Sequence, residues 1–254
     1  MNLSVVVPVY NAAAFIEESV RGLQEFLDGR GLSYEIVLAD DGSTDGSAAV
    51  MRELASERVR VVASEENRGK FAALGDGMAA ARGSCRVFTD ADVPFDHAAI
   101  TYIEHLVNER GFHLVIGDRT LPDSRYREEL PALRRLTMWL FRQAVRLLVT
   151  GGVPDSQCGL KGFRADVAEA LFPLLTDSGF GGDVELLYIA LKYNLEIRRI
   201  PVRLLRQGES TVRPLRHSWA MLGTLARLRR NWKSGAYTSQ ALAAIASQRY
   251  WEAP

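Results

Sequence analysis

The sequence predicts an α/β fold built on a mainly parallel sheet flanked by helices, and three observations carry that prediction. Short β-branched runs alternate with longer segments of helical period through the first 118 residues, which is the pattern of βαβ units. Acidic residues follow several of those runs directly, where open parallel sheets place their ligands. The 254 residues, 47% hydrophobic and 24% charged, suffice for a sizeable core and show no internal repeat or low-complexity segment.

The first strand candidate is Leu3–Val7, leading into Pro8. It lacks a basic flank and is too short an apolar run for a signal peptide, so it reads as a strand. A helix is expected over about 12–28, then strand Tyr34–Ala39, helix 46–56, strand Val59–Ala63, helix 70–82, strand Arg86–Thr89, helix 96–110 and strand His113–Ile116. After Arg119 the alternation breaks. Residues 120–130 read as a mobile loop, 131–149 as a helix, 159–164 as a short strand, 166–175 and 183–193 as helices, 196–205 as a strand, and the chain from 217 onward as helical and basic.

The formal charge of zero hides a division: residues 1–118 hold 19 acidic and 10 basic side chains, residues 119–254 hold 12 and 21. The second half should attract anionic partners such as phosphates, anionic lipid or nucleic acid. Two cysteines, Cys85 and Cys158, do not make a disulfide framework and fit a reducing, cytosolic setting. No run of about 18 uncharged apolar residues occurs, so membrane contact is expected to be peripheral, at the cytoplasmic face.

Asp40 and Asp41 follow a strand candidate and precede Gly42-Ser43-Thr44-Asp45-Gly46, a turn-rich exit into a helix that Asp45 or Ser47 could cap. The plain alternative is a capped loop; the functional reading is that one aspartate accepts a hydrogen bond from a nucleotide base or ribose. Asp90-Ala91-Asp92 is sharper. On extended chain, residues two apart point the same way, and two such carboxylates suit a hard cation, Mg²⁺ or Mn²⁺, that also binds phosphate oxygens.

Pro8-Val9-Tyr10-Asn11, Asp40 to Gly46, Asn67-Arg68-Gly69-Lys70 and Asp90-Ala91-Asp92 occur in the order found in family 2 inverting glycosyltransferases of the GT-A fold. Gly117-Asp118-Arg119, the stretch from Asp155-Ser156-Gln157-Cys158-Gly159 to Arg164, Asp183-Val184-Glu185 and Pro201-Val202 follow. Together they resemble the polyprenyl-phosphate branch, most closely dolichyl-phosphate β-glucosyltransferases, over residues 3–233. The resemblance implies a Rossmann-like GT-A sheet with C-terminal amphipathic helices. It implies a glycosyltransferase domain over 1–233, with a nucleotide-binding half (1–118) and an acceptor-side half (119–233), and a helical tail over 234–254. Pro8, Val9 and Tyr10 would line the nucleotide pocket, Asp40 would read the base, and Lys70 and Ala91 would lie near the nucleotide. Asp90 and Asp92 would hold the ribose and the metal-bound diphosphate. Two departures stand out: Ala12 replaces a common glutamate, and Gly182 replaces an aromatic residue or alanine.

The Asp155–Arg164 stretch should floor the donor sugar, with Gln157, Lys161 and Arg164 as polar contacts; a turn and an edge strand are the alternative. Asp183 and Glu185 point to different faces of a helix start, and Asp183 is favoured for the site, against a simple capping role. Leu133, Leu136, Leu140, Ala144 and Leu147 share one side of the 131–149 helix, with Arg135, Arg142 and Arg146 opposite. In Trp219–Trp232 the residues Met221, Leu225, Leu228 and Trp232 group together, away from Arg227 and Arg230. Such faces fit either an anionic lipid surface or packing on the sheet. By resemblance Arg119 would bind the acceptor phosphate, with Arg213 a second candidate.

The implied reaction is inverting displacement on a nucleotide-diphosphate sugar, UDP-glucose before GDP-mannose, by a polyprenyl phosphate. A phosphate nucleophile is largely ionised at neutral pH and needs no strong base. Rivals are a glycan hydroxyl acceptor, which would need a base such as Asp183, and a silent nucleotide-sugar-binding subunit, although both metal carboxylates are present. No nucleic-acid-binding module is recognised.

Overall fold

The computed structural model describes residues 1–125, 153–179, 181–205, 223 and 226–248. Strands β1 (Leu3–Val9), β2 (Tyr34–Asp41), β3 (Val59–Ser64), β4 (Cys85–Phe88), β5 (Leu114–Asp118), β6 (Lys161–Arg164) and β7 (Ile197–Pro201) form one sheet in the order β3-β2-β1-β4-β6-β5-β7. The first four are parallel and joined by helices α1 (Ile16–Asp28), α2 (Ser47–Leu54) and α3 (Lys70–Ala80), while α4 (Ala98–Asn108) leads from β4 to β5. β6 runs antiparallel to both β4 and β5, and β7 is parallel to β5.

β1 is apolar apart from Ser4 because both of its faces are covered. Val5 and Val7 enter a core shared with α1, α2 and α4, whereas Val6 between them enters the core of the other face with α3. α1 buries Ile16, Val20, Leu23 and Leu27, a stripe of helical period against the sheet. The second face is completed by α5 (Ala165–Leu171), a 3-10 turn Phe172–Leu174, α6 (Gly182–Lys192), the helical residues 226–233 (α7) and α8 (Gln240–Ser247). α6 is buried from Gly182 to Ala190, so it runs through the core and not along the surface.

Three expectations meet the structure here. The described part of the 234–254 segment, residues 234–248, is built into the core: Tyr237 is 1% exposed, and Leu242 and Ile245 pack in the same cluster as α5. Leu228 and Trp232 face inward too, Trp232 edge-on to Tyr188 and Tyr193 at ring separations of 6.3 and 5.8 Å, so these two residues of the stripe meet protein, while Met221 and Leu225 lie outside the described residues. Thr120–Arg125, expected in a mobile loop, is hydrogen-bonded: Thr120 N donates to Asp118 Oδ1 at 2.8 Å, Ser124 Oγ to the Asp118 carbonyl at 2.5 Å, and Arg125 bridges Arg203. The 131–149 helix, with Arg135, Arg142 and Arg146, lies outside the described residues. Among those described, no helix is long and apolar enough to cross a membrane.

The pole of the sheet away from the strand C-termini is cemented by Glu35, 1% exposed, which accepts from Ser4 Oγ (2.7 Å), Arg82 N (2.6 Å) and Arg60 Nη1 (3.1 Å). Burial would raise its carboxyl pKa, but these donors outweigh burial and hold it below the ordinary value.

Candidate active site

The strand order reverses at β1, whose neighbours β2 and β4 are reached by crossovers in opposite directions, and a crevice opens at the carboxyl ends of these strands. Val9 of β1 stands beside Asp40 of β2 in register. Beyond it the chain turns sharply through Asn11, whose φ of 52° is a left-handed conformation that asparagine tolerates. Asn11 Oδ1 accepts from Thr44 N at 2.8 Å, Ala12 N donates to Ser47 Oγ at 2.8 Å, and Ala13 N donates to Asp45 Oδ2 at 3.0 Å. Asp45 and Ser47, expected as helix caps, thus stitch the β1 exit to the β2 exit, while Gly46 stands at the helix start without a side-chain cap. Pro8 and Tyr10 flank the buried Val9, and the Tyr10 ring is 49% exposed at the crevice mouth.

The adjacent aspartates divide their work. Asp40, 5% exposed, accepts from Ser43 N through Oδ1 at 3.1 Å; among the described residues its Oδ2 has no hydrogen-bond partner. Asp41 uses both oxygens on the next loop, taking Arg68 N at 2.8 Å and Gly69 N at 2.9 Å. Gly69 has φ of 101°, and a Cβ there would lie 2.4 Å from the Ser178 carbonyl oxygen, so the chain needs glycine to reach this turn. Phe71 N donates to that same carbonyl at 2.8 Å. Asp41 and Ser178 therefore fix the start of α3, which carries Lys70.

Lys70 Nζ donates to Asp90 Oδ1 at 2.5 Å. Burial would lower the ammonium pKa, but the Asp90 and Asp183 carboxylates outweigh it and push it up to about 12, so Lys70 is a fixed cation at ordinary pH. Asp90-Ala91-Asp92 does not continue β4 as extended chain. The strand ends at Phe88, and a turn follows in which Val93 N donates to the Asp90 carbonyl at 2.9 Å and Val93 takes φ of 40°. The turn, not strand alternation, sets both carboxylates. Behind Asp90 stands Gly159: a Cβ on it would lie 1.9 Å from Asp90 Oδ2. Bareness at position 159 gives that carboxylate its place.

Lys161 and Arg164 depart from expectation for one reason, the antiparallel run of β6. Lys161 begins the strand beside Phe88 at the crevice end, yet it is fully buried, donating to Asp183 Oδ1 at 2.5 Å and to the Cys158 carbonyl at 2.7 Å. Removing one member of so deep an ion pair costs about 3–5 kcal/mol. Arg164, three residues on, stands beside Cys85 at the far end of β4 and forks onto Asp166 at 2.7 and 2.8 Å. It is remote from the crevice. Gln157 is partly exposed in the turn before β6, and Cys158 beside it is buried, its thiol pushed up to about 12 chiefly by desolvation.

Arg119 clamps Asp155 in a fork, Nε to Oδ2 and Nη2 to Oδ1 at 2.7 Å each, with Arg119 N adding 2.9 Å to Oδ2. Its charge is thereby compensated. Beside it Asp118, fully buried, holds Thr120 and Arg199. Arg213 lies outside the described residues. Asp183 and Glu185 face different partners, as their helical offset requires: Asp183 meets Lys161 under the crevice, and Glu185 turns to the loop before α6. The sequence hid the supporting roles of Asp41, Gly159, Ser178 and Glu185, because each depends on contacts between distant segments; only the glycine inside the Asp155–Arg164 motif hinted at a close approach.

No group of three or more potential ligands that could hold a metal occurs among the described residues. Asp90 and Asp92 in one partly exposed turn fit a hard cation of the Mg²⁺ or Mn²⁺ type, which accepts one or two carboxylates and completes its shell with phosphate oxygens and water.

The profile of glycosyl transferase family 2 matches residues 4–172. The chain is 30% identical over 248 residues to the dolichyl-phosphate β-glucosyltransferase of Dictyostelium discoideum, covering 92% of this chain and 76% of that protein. It is 29% identical over 250 residues to the human protein of that name, covering 92% and 77%. The glucosyl-3-phosphoglycerate synthase of Mycobacterium tuberculosis, crystallised with Mn²⁺, UDP and glucosyl-3-phosphoglycerate, superposes with a TM-score of 0.64 at 24% identity over 89% of this chain and 79% of that one. The shared architecture is the GT-A fold.

Proposed function

We propose that this chain, which belongs to glycosyltransferase family 2, transfers glucose from UDP-glucose to a polyprenyl phosphate at a membrane surface, inverting the anomeric configuration. The names of its relatives supply the sugar and the acceptor class. The observation that carries the choice of acceptor is the Lys161–Asp183 pair. A glycan hydroxyl would need a carboxylate to take its proton, and Asp183 is committed to a buried ammonium at 2.5 Å. A phosphate monoester arrives ionised and needs no such base.

Asp40 Oδ2 accepts from the base, and the exposed Tyr10 ring offers it a flat apolar face. Lys70 meets the diphosphate as a permanent cation and stabilises the charge that grows on it as it leaves. An acceptor phosphate oxygen attacks the anomeric carbon from the opposite face; the new C–O bond forms as the bond to the diphosphate breaks, and the electron pair departs with the diphosphate. Asp90 and Asp92 would hold a divalent ion, which supplies Lewis-acid stabilisation of the leaving diphosphate. The Arg119–Asp155 fork shapes the acceptor side.

The test is a transfer screen with UDP-glucose, other UDP-sugars and GDP-mannose, against a short polyprenyl phosphate and a glycan hydroxyl, with Mg²⁺, Mn²⁺ or chelator. A β-linked glucosyl phosphate product, lost on chelation and regained with metal, is the expected result. Preferential transfer to the hydroxyl, or binding of donor without any transfer, would overturn the proposal.

A further inference from the structure

The C-terminal segment meets the loop beside the site around one carboxylate, that of Glu185. Glu185 is fully buried, and its two oxygens take four hydrogen bonds: Thr176 N at 2.9 Å, Asp177 N at 2.8 Å, Thr176 Oγ1 at 2.6 Å and Tyr237 Oη at 2.5 Å. This fills the lone-pair capacity of a carboxylate. Tyr237 is itself buried, its hydroxyl also accepting from Asn231 Nδ2 at 3.1 Å and its backbone carbonyl accepting from Tyr193 Oη at 2.8 Å.

The loop held by Glu185 is the one that assembles the crevice. At one end its Ser178 carbonyl receives Phe71 N and packs against Gly69, fixing the turn before Lys70. At the other it runs into α6 two residues before Asp183 would pair with Lys161, and Gly182 lies against the Phe71 ring, where a Cβ would come 2.3 Å from the ring carbon Cγ. Asp177 adds a link to Arg227 of α7. The loop is thus tied to Lys70 on one side, to Asp183 on the other, and to residues 227–237 behind.

We infer that Glu185 and Tyr237 are positioning residues for the transfer reaction, making the C-terminal segment part of the apparatus that sets Lys70 and Asp183. Neither touches substrate. They act by fixing residues 176–179 ahead of α6, and the inference rests on the proposed function of the crevice. Asp40 is held by its own loop through Ser43 N and not by Glu185 or Tyr237, so the pair should govern turnover more than recognition of the base.

Tyr237→Phe keeps the ring that fills the core and removes the hydroxyl. It should lower kcat by about tenfold or more, since displacements near 1 Å at a reacting centre cost up to roughly a hundredfold. Uridine, which offers no diphosphate to Lys70, should bind within about twofold of wild type, and Thr176 and Asp177 amides should exchange faster in deuterium exchange. Tyr193→Phe is the control: it loses the bonds to the Tyr237 carbonyl and from Ser239 N but none to Glu185. It should lower the melting temperature comparably and leave kcat near wild type. Equal kcat losses in both variants, or a lower melting temperature in Tyr237→Phe with kcat unchanged, would reduce the pair to structural support. Wild-type turnover separates the two levels: if wild-type protein transfers nothing to polyprenyl phosphate, the functional proposal fails, whereas the exchange measurement still reports on the clamp.

Discussion

Gly159→Ala should disable the enzyme through a single methyl group. The added carbon would lie 1.9 Å from Asp90 Oδ2 and 2.7 Å from its Cγ, about 1.5 Å short of ordinary contact at 3.4 Å. Gly159 is buried in the turn that enters β6, and its φ is not in the left-handed region, so alanine fits the backbone and the conflict falls on the carboxylate. Asp90 must swing away, and the 2.5 Å contact with Lys70 goes with it. A shift of that size at a group holding the leaving diphosphate predicts a kcat loss of about a hundredfold, or about 2.7 kcal/mol of transition-state stabilisation. Steady-state transfer at saturating donor measures it, and a thermal melt separates it from unfolding. A folded Gly159→Ala protein with wild-type kcat would refute both the placement of Asp90 and the account of its role.

Asp40→Ala should weaken UDP binding by about 1–3 kcal/mol, the cost of losing a buried acceptor; calorimetry showing unchanged affinity would return Asp40 to a loop-closing role. Asp92→Ala should abolish metal-dependent transfer with the melting temperature nearly unchanged, and activity near wild type that chelation still stops would remove Asp92 from the metal site. Glu35 has a depressed folded pKa, so its contribution to stability is present above the ordinary value of 4.5 and is lost as pH falls through the folded value. Glu35→Gln should therefore flatten the acid limb of the melting temperature against pH below about 4.5, a profile parallel to wild type being the contrary result.

The parallel half of the sheet was legible because buried parallel strands are apolar almost throughout and their helices carry a clear period. β1 to β5 lie where the alternation placed them, within one or two residues at each end. The second half was harder. β6 is four residues long and antiparallel, and nothing local announces that Lys161 ends beside Phe88 while Arg164 is carried to the opposite pole. Asp40 and Asp41 look alike in sequence; only the return of Arg68 and Gly69 to Asp41 distinguishes them. The Asp90-Ala91-Asp92 pair was found, but its geometry was misjudged because strand alternation was extended past Phe88 into a turn. Trp232 and Leu228 were grouped on one face, yet hydrophobic period does not say whether protein or lipid covers that face, and here α6 does.

The insertion of β6 between β4 and β5 also orders events on the ribosome. Once β1 to β4 have emerged, Arg86 in β4 still waits for Phe163, and Leu114 of β5 waits for the same residue. Some seventy residues separate the two halves of that pairing, which at roughly 5–20 residues per second is about 4–15 seconds of synthesis. Throughout that interval the nascent sheet offers an apolar strand with unpaired backbone groups at its growing edge, the kind of surface that invites pairing with another chain. The strand that fills this gap also brings Gly159 and Lys161 to the crevice, so the step that covers the edge of β4 delivers part of the active site as well.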